Sequence, residues 1–298
     1  MKINPRTITY VSAVAEERSF SKAAEKLYIT QPSLSQHILN AEKEYGVQFF
    51  DRRSMPISLT YAGERFLAIA EQMELLDKQL IREMGDINGS VTGRIAVGVS
   101  PTRGAWFIPQ LFAQFKKRYP SVELILLEES NVKLLEAVRS GKVDFAFTGY
   151  SEEDLESVPI AERKILLAVR QDDPHAKSAD RAEICLADFA DVPFVLLKKG
   201  RGIRRMADRL FERENLQPII AYETGSYTMA LGMAREGLGC TFVIDHEMQL
   251  SNDMTAYRIA GAEETYQMHL VYREDTYLSR PFQYFIDLAA RLDTRDTE

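Results

Sequence analysis

Cysteine is nearly absent from this 298-residue chain, with Cys185 and Cys240 the only two. Two lone thiols and four scattered histidines (His37, His175, His246, His269) match no zinc spacing, so no metal site is expected. Reduced, mostly buried thiols are the default, and a disulfide between the two stays open. No apolar run approaches the ~20 residues of a membrane span. The opening MKINPRTITY lacks the apolar core of a signal peptide, so a cytoplasmic protein with no membrane partner is expected. Basic charge is also short: 37 Lys and Arg stand against 44 Asp and Glu, a formal net charge of -7. That balance argues against a chain that coats nucleic acid along its length. There is no nucleophile elbow, phosphate loop or paired-carboxylate motif, and the histidines form no recognisable constellation; His246 and His269 read as structural or exposed. Neither an enzyme nor a resident cofactor is expected.

What is present is ordinary globular material, 45% apolar and 27% charged, with length for two domains or a little more. The charge is unevenly spread. Residues 1–65 hold nine basic against seven acidic side chains, while the remainder holds 28 against 37. A mildly basic head on an acidic body fits a small DNA-reading module attached to something that should avoid DNA.

Ser19 to Ile38 carries the strongest local signal. Pro5 opens a helix with Ile8, Val11, Val14 and Ala15 on one face. A short helix follows over Ser21 to Leu27, with Ser21 as its cap. Tyr28-Ile29-Thr30 makes a turn. A second helix starts at Gln31-Pro32-Ser33, where proline is tolerated because its missing N–H would be orphaned anyway. Leu34 and Ile38 face inward, leaving Ser33, Ser35, Gln36 and His37 outward, and Gly46 stops the helix. This is the pattern of a DNA-binding helix-turn-helix, with a plain helical hairpin as the alternative. VQFFDRRSMPISLT then reads as a wing: Phe49-Phe50 anchor it, Arg52-Arg53 form a basic tip and Pro56 turns the chain. From Glu64 to Met84 an apolar stripe (Phe66, Ile69, Ala70, Met73, Leu76, Leu80, Met84) predicts a long dimerising helix with Thr60 as cap. Gly85, Gly89 and Gly93, with Asn88, Ser90 and Thr92, predict a flexible hinge.

Beyond Gly93 strands and helices alternate. RIAVGV, VELILLE and VDFAFTG are strands, separated by helices over Trp106–Tyr119 and Lys133–Ser140. An extended stretch over Arg163–Val169 leads to the turn DDPH. The alternation restarts with PFVLL, a helix at Ile203–Asn215, PIIAYE, a helix at Tyr227–Arg235, and GLGCTFVI. After Ala256–Ile259, QMHLVYR is the last strand and Pro281–Leu292 the closing helix, expected to return to the first half. Two α/β lobes with parallel strands, joined by two crossing strands, leave a cleft between them.

These motifs together resemble the LysR-type transcriptional regulators along essentially the whole chain. The resemblance is strongest over Ser19-Phe20, Ala23-Ala24, Gln31-Pro32, Ser35, Glu42, Gly46, Phe50, Arg52, Leu59-Thr60 and Gly63. GVSPTR, SGKVDFAFTG and REGLGCTFVI fall where that family has ligand-binding loops. Two positions depart from its pattern: Ala41 stands where leucine is usual and Gln36 where arginine is common, which puts the base preference in doubt. The resemblance implies an α+β multidomain chain. It has a winged helix-turn-helix over 1–60 and a linker and hinge over 61–92. A two-lobed α/β effector domain, like a type 2 periplasmic binding protein, follows. Lobe I covers 93–162, completed by 274–298, and lobe II covers 163–273. It also implies a homodimer or dimer of dimers on an inverted repeat in double-stranded DNA. A small-molecule effector in the cleft, and activation through RNA polymerase, complete the expectation.

For DNA the candidates are Gln31, Pro32, Ser33, Ser35, Gln36, His37, Arg52 and Arg53; Thr30 reads as a cap. For the effector they lie at loop ends facing the cleft: Ser100, Pro101, Thr102 and Arg103; Thr148 and Gly149; Gly200, Arg201 and Gly202; Thr224, Gly225 and Ser226. Hydroxyls and glycines at helix N-termini, with two arginines nearby, suit a small anion, although capping alone explains any one of them. The rival readings are a cytoplasmic small-molecule binding protein, or an enzyme using the N-terminal helices as an interaction module only.

Overall fold

Asn4 starts the first helix, its side chain accepting the Arg6 N–H at 2.9 Å ahead of Pro5. The computed structural model describes residues 4–89, 92–177, 183–245 and 253–294, and the chain forms two compact units that divide after Met84. In the first unit, α1 (Pro5–Glu17) packs with α2 (Phe20–Lys26) and α3 (Gln31–Tyr45). Ser19, not Ser21, caps α2 by accepting the Lys22 N–H at 3.4 Å; the helix begins earlier because Phe20 belongs to its buried face. Thr30 caps α3 through the Ser33 N–H, and Gly46 ends it at φ 71°, a left-handed conformation that glycine adopts cheaply. The wing is a two-stranded antiparallel pair, β1 (Phe50–Asp51) with β2 (Ser58–Leu59).

Thr60 then starts α4 (Tyr61–Ile87), accepting the Gly63 N–H at 3.1 Å. Gly63 is obligatory, since a Cβ there would lie 2.1 Å from the Phe49 carbonyl oxygen. Val11, Val14, Phe20, Leu34, Ile38, Phe49, Phe50 and Phe66 close the core, with Phe49 and Phe66 stacked at 4.5 Å. Only the first turns of the α4 stripe enter it: Phe66 and Ala70 are buried, whereas Ile69, Met73, Leu76, Leu80 and Met84 are exposed. The helix runs through Gly85, so the glycine-rich segment begins later than expected, at Gly89 (φ 67°). Ser90 lies outside the described residues.

The second unit begins with β3 (Gly93–Val99), α5 (Pro101–Arg118), β4 (Val122–Glu128), α6 (Asn131–Arg139) and β5 (Phe145–Thr148). β3 pairs in parallel with both β4 and β5. Next, β6 (Leu155–Arg170) is one strand of 16 residues, where the sequence suggested an extended stretch only from Arg163. The second half follows: α7 (Pro174–Lys177), β7 (Glu183–Ile184), β8 (Pro193–Leu197), α8 (Gly202–Arg213), β9 (Ile219–Thr224), α9 (Tyr227–Arg235), β10 (Thr241–Ile244) and β11 (Met254–Ile259). β8 and β9 pair in parallel. β12 (Thr265–Arg273) runs antiparallel to both β5 and β6, while β6 continues into antiparallel pairing with β10 and β11. The sheet is therefore parallel within the first half and antiparallel along the crossing strands.

Two separate cores flank the crossing. One joins Val97, Leu111, Phe115 and Phe145 to α10 (Arg280–Thr294), with Phe145 and Phe285 stacked at 5.3 Å. The last helix thus returns to the first half. The other core collects Leu167, Phe189, Phe194, Leu210, Phe211 and Phe242.

Candidate functional site

The first candidate surface is α3 and the wing. Leu34 and Ile38 are fully buried, which turns Gln31, Pro32, Ser33 and Gln36 outward as exposed residues, with Ser35 half-buried. Gln36 Nε2 donates to Asn40 Oδ1 at 3.0 Å, one turn along. His37 departs from its expected outward orientation. Its Nε2 lies 3.0 Å from Thr7 Oγ1 and its ring meets Tyr10 edge-on at 4.8 Å, so it fastens α3 to α1. Little more than one turn of helix carries Leu34, His37 and Ile38 on or beside one buried face, a placement that depends on where α1 lies.

Arg52 and Arg53 are adjacent and behave differently. Arg52 Nη2 donates to Glu42 Oε2 at 3.0 Å, its guanidinium sits 5.0 Å from the centroid of Phe20, and its Nη1 lies 3.4 Å from Ser35 Oγ. Glu42 is 6% exposed, and its other oxygen accepts the N–H groups of Phe49 and Phe50 at 2.8 and 3.3 Å. One carboxylate therefore ties α3 to the wing's base. Arg53 is exposed, and no described carboxylate pairs with its guanidinium. Glu42 entered the sequence reading as a motif residue; the two following aromatic backbone groups it serves were not visible there.

The second candidate surface lies in the other unit. Ser100 and Pro101 face Gly200, Arg201 and Gly202 across a cavity of about 520 Å³. A second cavity of about 700 Å³ adjoins it, and Tyr150, Gly202, Arg205 and Tyr266 line both. Of the expected effector residues, Ser100, Pro101, Gly149, Gly200, Arg201 and Gly202 come together here. The side chains of Thr102 and Arg103 lie outside the described residues, as does His246. Thr148 is fully buried and donates to the Tyr150 carbonyl at 2.7 Å, so it shapes the loop rather than facing the cavity.

Thr224, Gly225 and Ser226 are not on the cavity walls. The Thr224 hydroxyl accepts the Ser226 N–H, and Ser226 in turn caps α9 through the Met229 N–H at 3.3 Å. Gly225 stands next to Arg201 instead: a Cβ on Gly225 would lie 3.8 Å from its Nη2. REGLGCTFVI supplies none of the described lining residues. Its Gly239 lets β10 approach β8, because a Cβ there would lie 2.4 Å from the Pro193 carbonyl oxygen.

Lys133, Tyr150, Lys199, Arg205, Arg209 and Tyr266 line the cavities without having been singled out in the sequence. Lys133 is partly used: it hydrogen-bonds Glu129 and holds that carboxylate below its usual range. Behind α8, Arg204 is 3% exposed and donates to Asp208 at 2.7 Å, to the Leu197 carbonyl at 2.8 Å and to Glu223. Its hydrogen bond holds Glu223 below the ordinary carboxylate range. Cys240 is buried, which pushes its thiol up, whereas Cys185 is exposed, contrary to the expectation of buried thiols. No described group of His, Cys, Asp and Glu could hold a metal ion, and no described helix is long and apolar enough to cross a membrane.

Comparison with known proteins gives these surfaces a context. Residues 5–64 match the family profile for the bacterial regulatory helix-turn-helix protein of the lysR family, and residues 88–293 match that of the LysR substrate binding domain. The chain belongs to the LysR family of transcriptional regulators. Among its relatives, the HTH-type transcriptional regulator YcgK of Bacillus subtilis is 29% identical over 301 residues, covering 95% of this chain and 93% of that one. Among solved structures, a Corynebacterium glutamicum OxyR C206 mutant aligns at TM-score 0.61 and 25% identity, covering 100% of this chain and 95% of that one. CbnR complexed with its target DNA aligns at TM-score 0.66 and 23% identity, covering 97% and 99%, a likeness of fold. This LysR-type regulator thus has a helix-turn-helix DNA-binding domain and an effector-binding domain of mixed α/β structure.

Proposed function

We propose that the regulator binds an inverted repeat as a homodimer or dimer of dimers, and that a small anionic effector in the interlobe cleft adjusts its grip on DNA. One observation carries the DNA half. The polar ridge of Gln31, Ser33 and Gln36 is exposed above a closed core, with Arg53 unpaired beside it among the described residues. Glutamine can read adenine through paired hydrogen bonds, serine suits phosphate, and Arg53 suits the backbone or minor groove. Ser35 and Pro32 border that ridge, whereas Arg52 and His37 act through position. Residues 1–60 form the reading head. The exposed stripe Ile69, Met73, Leu76, Leu80 and Met84 within the 61–92 linker is the dimer seam. CbnR, whose fold this chain shares, has been captured with its target DNA, which supports DNA binding here.

In the cleft, Ser100 and Gly202 lie at the starts of α5 and α8, where free N–H groups favour an anion, and Arg201 and Lys199 add charge. Lobe I (93–162 with 274–298) and lobe II (163–273) would close on it. The effector domain of QuiR, 22% identical, was solved with shikimate, and its fold supports placing a small molecule in this cleft. A cytoplasmic location, activation and RNA polymerase contact complete the reading.

Gel-shift titration with the DNA upstream of the encoding gene tests it. A specific complex is expected, lost with Gln31→Ala plus Gln36→Ala. Equal binding to unrelated DNA at every salt concentration would refute the reading. Calorimetry of the full chain with carboxylates and phosphates tests the effector half, and binding confined to cations or neutral apolar compounds would contradict it.

A further inference from the structure

Five arginines stand on or beside α8, and they divide by what they touch. Arg204 is buried against Asp208, Glu223 and the Leu197 carbonyl. Arg213 pairs with Glu214 and Glu264, each at 3.2 Å. Arg201, Arg205 and Arg209 have no ion-pair partner among the described residues; Arg205 donates only to the Gly200 carbonyl, at 3.1 Å. Arg205 and Arg209 lie four residues apart on one face of α8, with about 6 Å of rise between them, and Arg201 extends the row as the residue that caps the helix start.

The row runs along both cavities. Arg201 and Arg205 line the first, Arg205 and Arg209 the second, and Tyr150 and Tyr266 line both. The two cavities thus share one wall. Four carboxylates also line them: Glu128 and Glu129 the first, Glu263 and Glu264 the second. Two are already matched by other cations, Glu129 by Lys133 and Glu264 by Arg213. Glu128 and Glu263 remain, with no ion pair to these arginines among the described residues; like charges one helical turn apart repel, so folding alone does not account for three guanidiniums and Lys199 set against two carboxylates in a chain of net charge -7. A ligand with complementary charge does.

Resting on the reading of the cleft as the effector site, we propose that the effector is an elongated ligand with two separated anionic groups. One anionic group sits at Arg201 and Ser100. The other, one or two rungs away at roughly 6–12 Å, sits between Arg205 and Arg209 in the second cavity. Guanidinium groups suit either a carboxylate or a phosphate at each end, because both accept paired hydrogen bonds. A ligand with a single anionic group leaves Arg209 unmatched. Arg205, common to both cavities, senses whether each end is filled.

Isothermal titration of the full-length protein separates the possibilities. The probes are fructose 1,6-bisphosphate against fructose 6-phosphate, and adipate against hexanoate, so that phosphate and carboxylate ends are distinguished. In at least one pair the compound with two anionic groups should bind about tenfold tighter than its partner with one, the scale of one charge-assisted contact. Arg209→Gln should bring that ratio close to one, and Arg209→Lys should recover part of it. Equal affinity within both pairs, or a ratio that survives Arg209→Gln, overturns the second subsite while leaving an anionic effector in the cleft. Failure of all four probes to bind at millimolar concentration overturns both the two-anion ligand and the anionic-effector reading.

Discussion

Each unit of the regulator carries two adjacent arginines that divide their labour. In the DNA-reading unit Arg52 is fastened to Glu42 and laid against Phe20, while Arg53 is unpaired among the described residues. In the effector unit Arg204 is fastened to Asp208 and Glu223, while Arg205 faces the cavities. The committed arginine fixes the element, wing or helix, that presents the uncommitted one. Charge on a surface is informative only after the charge spent on folding has been removed. By that measure the two arginines without an ion-pair partner among the described residues, Arg53 and Arg205, are the functional candidates, and the two paired ones are the scaffold.

The largest effect is expected at Glu42. Glu42→Ala orphans two buried N–H groups and releases Arg52. Losing one partner of such a buried network costs about 3–5 kcal/mol. Urea unfolding should show this loss in the N-terminal unit. A loss under about 1 kcal/mol would mean that the wing is not held by this carboxylate. Arg204→Met should cost less, about 1–3 kcal/mol, because its two carboxylate partners are only partly buried and can turn to water. Arg205→Met should stay within about 0.5 kcal/mol in the same measurement. If Arg204→Met and Arg205→Met cost the same, the division of labour in the effector unit fails.

Local signals in the sequence located the reading head because its elements are short and self-announcing. Pro5 and Pro32 mark helix starts, Gly46 a helix end, and the aromatic pair Phe49-Phe50 the base of the wing. The orientation of His37 was not legible, since it depends on Thr7 and Tyr10, which are 30 and 27 residues away in the chain. The same holds for β6. Val158–Ile160 lacks a clean alternation, and only pairing with β12, more than a hundred residues later, makes Leu155–Arg170 a single strand. The cleft was half legible. Glycines and hydroxyls before helices flagged Ser100 and Gly202, but the same signal at Thr224 and Ser226 proved to be local capping. Arg205 and Arg209 are not legible inside an arginine-rich helix, because sequence alone does not say which positions face the cavity.

The arginine pair of the wing allows a finer separation. Arg53→Ala should reduce the salt dependence of DNA binding by about one unit of slope, with little effect on folding. Arg52→Ala should also weaken DNA binding, but together with a measurable loss of stability, since Glu42 is left buried without its cation. Filter binding across a salt series, alongside thermal melting, distinguishes the two. An unchanged slope for Arg53→Ala would remove it from the interface.

The smallest effect is expected from acid. Arg204 holds the Glu223 carboxyl below its usual range, so the folded form keeps that group ionised to lower pH than the unfolded form does. A depressed folded value adds stability that is fully present above the unfolded value and is lost as pH falls through the folded one. Melting temperatures between about pH 6 and pH 3 should therefore decline more steeply for the native chain than for Arg204→Met, in which Glu223 regains an ordinary value. Glu223 is largely solvated, which keeps the difference small. Parallel curves would mean that Arg204 is held by Asp208 and the Leu197 carbonyl alone, and that the contact with Glu223 contributes nothing to presenting Arg205.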